Sequence, residues 1–120
     1  MDIQILMKFM TMNKLAFGTI VLLNFPFSDG SNSKKRPALV IRHDIDNDII
    51  VYRITSHIYE TELDIFIENW EKSGLKLPSV IRIHKIATLE LSLVERVMGT
   101  VDSKLLNKIQ NKFSKIPLLK

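Results

Sequence analysis

The chain of 120 residues contains no cysteine, which excludes disulfide bridges, thiol catalysis and zinc sites built on thiolates. Because nothing in the composition indicates an oxidising compartment, we expect a cytoplasmic location. A long hydrophobic run is missing as well. The longest uncharged stretch covers residues 15–28, which is shorter than the roughly 20 apolar residues that span a bilayer. The sequence therefore predicts a protein without a membrane segment.

The patterns of common metal and nucleotide sites are also missing. Asp44, Asp46 and Asp48 are spaced like the start of a calcium-binding EF-hand loop. However, Ile49 stands where that loop needs glycine and Thr55 stands where it needs a bidentate glutamate. The three histidines are far apart in the sequence, and no glycine-rich phosphate loop is present. The sequence therefore predicts neither a metal site nor a cofactor.

The charge balance favours a polyanionic partner. Lysine and arginine number 17 against 13 aspartates and glutamates, which gives a net charge of +4 and a pI of about 9.4. A basic surface of this kind fits nucleic acid better than an acidic substrate, although many globular domains are mildly basic.

The beginning of the chain differs from the rest. Residues 1–14 contain four of the five methionines and show no hydrophobic periodicity. We interpret them as a flexible leader or a non-native start, with Met12 as an alternative first residue. Residues 15–120 contain no linker and no internal repeat, and their length fits one compact domain.

Hydrophobic patterning predicts short strands first and a helix last. Asp102 is a suitable N-cap for that helix, which carries Leu105, Leu106, Ile109 and Phe113 on one face. This order indicates a mainly β fold, a closed or half-closed barrel with a C-terminal helix packed on it. The predicted strands cover residues 17–25, 37–41, 48–55, 61–68, 79–86 and 94–101.

Two groups of polar side chains lie at predicted strand ends. Arg36 stands where the polar loop 28–33 leads into a strand, and Pro37 fixes the backbone directly after it. A guanidinium held in this way can bind a phosphate through two parallel hydrogen bonds. Thr55 and Ser56 end the third strand, so their hydroxyls are expected at a barrel rim, where they could also simply satisfy a turn.

A second candidate pair lies on the fifth strand. Arg82 and His84 are two residues apart, so they are expected on the same face, as a phosphate clamp beside a proton shuttle. Lys34 and Lys35 would strengthen a phosphate site at Arg36. Each of these residues also has a structural interpretation, because exposed cations commonly just solvate a β-surface.

The order of the segments resembles that of MazF/PemK-like toxins over about residues 17–113. This resemblance implies an SH3-like β-barrel of the CcdB/MazF type and a type II toxin that cleaves single-stranded RNA without a metal ion, an mRNA interferase. The matching segments are GTIV at 18–21, FPF at 25–27, KRPALVI at 35–41, ITS at 54–56, GL at 74–75, PSVIR at 78–82 and MGTV at 98–101.

The resemblance also implies roles for three residues in an attack by the ribose 2′-hydroxyl. Arg36 would stabilise the pentavalent phosphate or protonate the leaving oxygen. Thr55 would hydrogen-bond the scissile phosphate, and Arg82 matches a second arginine that some members use in catalysis. These assignments agree with the general rule that fixed cationic donors stabilise charge developing on phosphate oxygens.

Two departures from the family pattern leave the general base open. His84 stands where some members have an aspartate, and we predict that it has taken over proton transfer. Ser31 and Asn32 stand near the place where some members carry histidine or glutamate, and we predict that they bind RNA together with Lys34, Lys35 and Ser56. The alternative is that the chain is a weak or inactive nuclease.

The resemblance implies a homodimer, whose barrel rims form an RNA groove, and a cognate antitoxin that covers this groove. Two other functions remain open at this stage. One is a CcdB-like gyrase poison of the same fold, which binds an enzyme and cuts nothing. The other is a non-catalytic nucleic-acid-binding module, which would bind with strong salt dependence and leave the strand intact. The sequence specifies neither the RNA cleavage sequence nor the antitoxin.

Overall fold

The computed structural model describes residues 14–26, 33–43 and 46–115, with the backbone alone at residues 25, 26 and 33. A short 3-10 turn, Leu91–Leu93, joins the last two strands. The prediction of strands first and a helix last is confirmed. The elements are β1 (Thr19–Pro26), β2 (Ser33–His43), β3 (Asp48–Thr55), β4 (Asp64–Phe66), β5 (Val80–Glu90), β6 (Val94–Thr100) and the helix α1 (Ser103–Ser114).

The six strands form one antiparallel sheet in the order β4-β5-β3-β2-β1-β6. In the described part of the chain the two end strands, β4 and β6, are edges of this sheet and do not pair with each other. The mainly β fold with a C-terminal helix is therefore confirmed. The predicted closure of the strands into a barrel is not confirmed.

A turn that follows β4 packs against β6, and we call it the closing turn (residues 68–75). Gly74 has a φ of +92°, and a Cβ placed there would overlap the carbonyl oxygen of Met98. A Cβ on Gly99 would likewise overlap the carbonyl oxygen of Ser73. Only glycine fits at both positions because the two backbones are in direct contact. The closing turn, which follows edge strand β4, thus packs backbone to backbone against the other edge strand, β6, so the sheet is curled.

Both faces of the sheet bury apolar side chains. On the inner face, Ile20, Leu39, Ile54 and Ile81 pack together with the helix. On the outer face, a second cluster is formed by Val21, Leu23, Ala38, Val40, Ile49, Val51, Leu91 and Val94. Neighbouring residues such as Ile20 and Val21 belong to different clusters, as the two-residue period of a strand requires.

The helix begins where the sequence predicts. One carboxylate oxygen of Asp102 accepts a hydrogen bond from the Leu105 backbone N–H at 2.8 Å, and the other accepts from the Asn69 amide at 2.8 Å. These two hydrogen bonds lower the pKa of the Asp102 carboxyl. Leu105 and Ile109 are buried, whereas Phe113 remains 44% exposed at the end of the predicted apolar face. The predicted helix and its N-cap are confirmed.

Strand β2 is longer than predicted and changes the setting of Arg36. It begins at Ser33, so Arg36 lies inside the strand and pairs with Leu23 of β1. The prediction that Arg36 lies on a loop is wrong, because pairing with β1 extends the strand through its polar start. The ladder to β3 begins only at Ala38, next to Pro37, which has no N–H to donate.

Strands β4 and β5 also differ from the predicted bounds. Strand β4 is reduced to three residues because Thr61 turns the chain just before it, with its N–H and hydroxyl both donating to the Asp64 carboxylate. Strand β5 continues through residues 87–90, which the sequence left unassigned. In the described part of the chain, no helix is long and apolar enough to span a membrane. Apart from Lys14, the predicted leader lies outside the described residues.

A candidate nucleic-acid interface

A groove of about 370 Å³ lies where β2 begins and β3 ends, and we call it the cationic groove. Four cations line it, contributed by Lys35, Arg36, Lys76 and Arg96. The apolar side chains of its walls include Leu22, Ile54, Leu75, Leu77 and Met98, and its hydroxyls belong to Thr55, Ser56 and Ser79. No carboxylate is among the described residues that line the groove. Such a lining suits a ligand with phosphate groups.

The sheet brings Arg36 and Thr55 together. Strands β2 and β3 are antiparallel, with Ala38 opposite Arg53. Arg36 lies two residues before Ala38 on β2, and Thr55 lies two residues after Arg53 on β3, so both are at the same end of this strand pair. Arg36 is half-buried, and the Thr55 side chain is 8% exposed. Both residues line the cationic groove, so the structure unites two of the four predicted catalytic residues.

The hydroxyl of Thr55 is oriented by the chain that follows it. The backbone N–H of His57 donates to the Thr55 Oγ1 at 3.2 Å. Because this bond uses a lone pair of the oxygen, the hydroxyl proton stays available for a ligand acceptor. Ser56 is exposed between the two residues and also lines the groove. The end of β3 thus presents two hydroxyls beside Arg36.

The two lysines before Arg36 lie on opposite sides of β2. Lys35 lines the cationic groove, and its ammonium lies 2.8 Å from the carboxylate of Glu95. This pair is exposed, with side-chain exposures of 55% and 36%, so a phosphate can replace the glutamate at little cost. Lys34 instead lines a second groove, on the outer face, which Arg36 also borders. The two lysines therefore lie beside Arg36 on two faces of the sheet, and their RNA-binding role remains a prediction.

This second groove, which we call the outer groove, has a volume of about 460 Å³. Its cations are Lys34, Arg36, Arg53 and Lys85, and its floor is apolar. The floor and walls are formed by Leu23, Pro37, Ala38, Val51, Ile86, Ala87 and Leu89. Ile86 is 48% exposed, which leaves a large apolar side chain facing solvent at this place.

Arg82 is engaged away from the cationic groove. Its Nε lies 2.8 Å from the Asp64 Oδ1, and the two side chains are 11% and 1% exposed. The guanidinium carbon also lies 3.5 Å from the centroid of the Tyr59 ring. Burial alone raises the pKa of the Asp64 carboxyl, but hydrogen bonds from Thr61 and Arg82 together with the arginine charge bring it below its usual value. Arg82 of β5 therefore stabilises the segment between β3 and β4 through its contacts with Asp64 and Tyr59.

His84 is exposed and lies in an irregular part of β5. Arg82 pairs with Arg53 and Ile86 pairs with Tyr52, so three residues of β5 bulge out between consecutive partners on β3. Among the described residues that line the cationic groove, neither Arg82 nor His84 occurs. Their predicted catalytic roles remain predictions. Ser31 and Asn32 lie outside the described residues.

Sequence reasoning missed five residues around this site. Three of them line the groove. Lys76 directly follows the closing turn, Ser79 directly precedes β5, and Arg96 lies on β6. Only long-range packing brings these three segments near Arg36. The rings of His57 and Tyr59, in the segment that follows Thr55, are in tilted contact with centroids 4.2 Å apart. Two aromatic rings within four residues after Thr55 were a signal that could have pointed to a ring cluster at the strand end.

No metal-binding cluster is found in the part of the chain that the structure describes, since no three histidine, aspartate or glutamate side chains come together there.

Comparison with known families and structures gives a consistent result. The sequence profile of the family described as PemK-like, MazF-like toxin of type II toxin–antitoxin system matches residues 16–116, which confirms the resemblance drawn from the sequence. A comparison with curated protein sequences finds no match.

Solved structures of similar fold include proteins from Deinococcus radiodurans and from mycobacteria. A MazE–MazF structure from Deinococcus radiodurans matches with a TM-score of 0.71 and 17% identity, over 83% of this chain and 92% of that one. A mycobacterial endoribonuclease matches with a TM-score of 0.65 and 17% identity, over 85% and 89%. A mycobacterial endoribonuclease in complex with its cognate antitoxin matches with a TM-score of 0.66 and 15% identity, over 88% and 99%. Identities this low establish similarity of fold.

Proposed function

This chain belongs to the family of PemK-like, MazF-like toxins of type II toxin–antitoxin systems, and we propose that it acts as an endoribonuclease that cleaves single-stranded RNA without a metal ion. The observation that carries the proposal is the cationic groove, in which four cations and three hydroxyls meet and no carboxylate is found among the described lining residues. We further propose that the toxin acts in the cytoplasm on messenger RNA. We interpret its curled sheet as an open variant of an SH3-like barrel.

The proposed reaction is an intramolecular transesterification. The ribose 2′-oxygen forms a bond to the phosphorus, and the bond from phosphorus to the 5′-oxygen breaks. The products are a 2′,3′-cyclic phosphate and a 5′-hydroxyl, and one proton passes from the attacking oxygen to the leaving oxygen. Because negative charge grows on the non-bridging oxygens, fixed donors aimed at them lower the barrier.

Arg36 and Thr55 are the donors that fit this reaction. The Arg36 guanidinium can bind two phosphate oxygens at once, and its place inside a paired strand holds it before the substrate arrives. Thr55 donates its hydroxyl proton to an oxygen of the same phosphate. We propose that His84 transfers the proton. For Arg82 we propose an indirect role, because its guanidinium is engaged by Asp64 and Tyr59.

The remaining predicted residues are proposed to bind the RNA strand on either side of the reacting phosphate. Lys35 and Ser56 lie in the cationic groove itself, and Lys34 lies across β2 in the outer groove. Ser31 and Asn32 retain the RNA-binding role predicted from the sequence.

Two protein partners are proposed. A homodimer would bury the apolar floor of the outer groove, where the half-exposed Ile86 is otherwise left in water. A cognate antitoxin would inhibit by laying an acidic or apolar segment over the cationic groove. Ile86→Glu is expected to convert a dimer to a monomer in light scattering, whereas Thr88→Glu, an exposed position on the same strand, should leave the mass unchanged.

The test of the nuclease uses purified protein, a mixed-sequence single-stranded RNA and excess EDTA. Wild type is expected to leave 2′,3′-cyclic phosphate ends, and Arg36→Ala is expected to leave the RNA intact. Arg53→Ala is the matched control, because it removes an exposed arginine from the neighbouring strand that does not line the cationic groove.

Three results would contradict the proposal in different ways. Intact RNA after treatment with folded, toxic wild-type protein would favour a CcdB-like gyrase poison, to be tested by DNA supercoiling. Salt-dependent RNA binding without cleavage would favour a non-catalytic binding module. Cleavage retained in folded Arg36→Ala would remove that residue from the mechanism.

A further inference from the structure

A row of contacting side chains runs from a buried carboxylate to the edge of the cationic groove. Asp64 pairs with Arg82 at 2.8 Å, and the Arg82 guanidinium carbon lies 3.5 Å from the Tyr59 ring centroid. The Tyr59 ring in turn lies 4.2 Å from the imidazole of His57, centroid to centroid. We call these four residues the aromatic row. Its first member is buried and its last member, His57, is exposed.

The exposed end of the row lies beside the residues proposed to hold the reacting phosphate. His57 directly follows Ser56, which lines the cationic groove. Its backbone N–H donates to the Thr55 hydroxyl oxygen at 3.2 Å, which ties the backbone of His57 to the groove wall. The imidazole is therefore held within two residues of a proposed phosphate ligand.

The connection between β3 and β4 is stabilised without the exposed end of the aromatic row. That connection is already held by the Asp64–Arg82 ion pair and by the two hydrogen bonds that Thr61 donates to Asp64. His57 adds to these an exposed aromatic ring, and its contact with Tyr59 limits the positions that the ring can take. A ring that is ordered before binding loses little conformational entropy when a ligand stacks on it.

The ligand that fits an ordered, exposed ring next to a phosphate site is a nucleobase. Bases of single-stranded RNA are free to stack on aromatic side chains, histidine included. Such stacking tolerates any base, because every base has a π-face. His57 is two residues from Thr55, so its ring belongs to the same strand end as one of the two residues proposed to bind the phosphate.

We propose that His57 is a stacking platform for an RNA base that flanks the scissile phosphate, with Tyr59 and Arg82 as positioning residues that hold the imidazole in place. The inference rests on the proposed function, which supplies the ligand, and it adds a base-binding site to the phosphate-binding groove.

The test compares binding of an RNA that cannot be cut. The cut site is first mapped with wild type, and an oligonucleotide carrying that site is then made with a 2′-deoxy sugar in place of the attacking hydroxyl. His57→Ala is expected to raise its Kd about tenfold, within the range of one base–aromatic stack, and His57→Phe is expected to restore it. Ile58→Ala is the matched control, since Ile58 is the adjacent residue, 42% exposed, and stands outside the row.

A second readout reports stacking directly. The fluorescence of 2-aminopurine placed on either side of the cut site should be quenched by wild type and by His57→Phe, and less by His57→Ala. Tyr59→Leu should weaken both the quenching and the binding, because it removes the ring that positions the imidazole. Circular dichroism and urea midpoints of each variant establish that it is folded.

The outcomes separate this inference from the function on which it rests. An unchanged Kd and unchanged quenching in His57→Ala would overturn the platform while leaving the nuclease intact. Equal losses in His57→Ala and His57→Phe would overturn stacking, because the imidazole would then act through its nitrogens. A wild-type protein that cuts no RNA would contradict the nuclease. The binding comparison, repeated with the mixed-sequence single-stranded RNA, would still decide whether His57 stacks on a base.

Discussion

Removing the Arg82 side chain should cost the fold about 3 kcal/mol. Arg82→Ala leaves Asp64 with a carboxylate that is 1% exposed and lacks its cation. Breaking one side of a buried ion pair costs about 3–5 kcal/mol, because the remaining charge is uncompensated. We take the lower end, since Thr61 still donates two hydrogen bonds to the carboxylate. A loss of this size is a large fraction of the about 5–15 kcal/mol that stabilises a typical domain.

The pH dependence gives this prediction a second, independent check. Burial alone raises the folded-state pKa of the Asp64 carboxyl, but hydrogen bonds from Thr61 and Arg82, together with the arginine charge, hold it below its usual value. The stabilisation is therefore fully present above the unfolded pKa and is lost as the pH falls through the folded pKa. Once Asp64 is protonated it no longer needs a cation. The difference in unfolding free energy between wild type and Arg82→Ala should therefore be largest near neutral pH and should shrink in strong acid.

Urea unfolding at equal protein concentrations measures both effects. Arg53→Ala is the matched control, because Arg53 pairs with Arg82 across the two strands but is exposed. Removing the Arg53 side chain should change the free energy of unfolding by about 0.5 kcal/mol or less. A loss below about 1 kcal/mol in Arg82→Ala, or a loss that does not depend on pH, would refute the buried-pair argument. The first result would also return Arg82 to the candidate catalytic residues.

Three further predictions follow from the contacts described above. Gly74→Ala should destabilise by about 2 kcal/mol or more in urea, because a Cβ overlaps the Met98 carbonyl oxygen at a positive φ, and an unchanged midpoint would contradict that packing. RNA binding to the cationic groove should weaken as salt is added. If all four cations contact phosphates, the logarithm of the binding constant should fall with the logarithm of the salt concentration with a slope of about −3, and Arg96→Ala should reduce the size of that slope by about 0.7. A slope near zero would refute phosphate binding. His84→Ala should lower the cleavage rate about 10²-fold with little change in RNA affinity if it transfers a proton, and an unchanged rate would assign it a structural role.

The parts of the fold with local signals were predictable from the sequence. Strand β3 has the predicted bounds, 48–55, because its apolar residues and the turn before it are encoded within a few residues. The helix begins after Asp102 for the same reason, since an N-cap needs only its own side chain and the next turn. Thr55 could be identified as a candidate because it ends β3, and Arg36 because it directly precedes Pro37 in a cation-rich segment.

The rest depended on pairings between distant residues. The start of β2 at Ser33 follows from pairing with β1, which no property of a lysine-rich segment indicates. The partner of Arg82 is 18 residues away on the short strand β4, so sequence alone left that guanidinium available for catalysis. The cationic groove needs Arg96 of β6 near the beginning of β2. Strand β1 brings them together, because its Leu22 pairs with Pro37 on one side and with Arg96 on the other.

The side chain of Asp102 has a consequence for how the molecule opens. Its two oxygens bind different elements, one the first turn of α1 and the other the Asn69 amide at the start of the closing turn. Neither element can leave its place without breaking a bond to the same carboxylate. Helix and turn should therefore behave as one cooperative unit in native-state hydrogen exchange, with amides in both exchanging at matched free energies. Leu75 at the end of that turn and Lys76 directly after it line the cationic groove, so any motion that frees the helix also reshapes one wall of the groove.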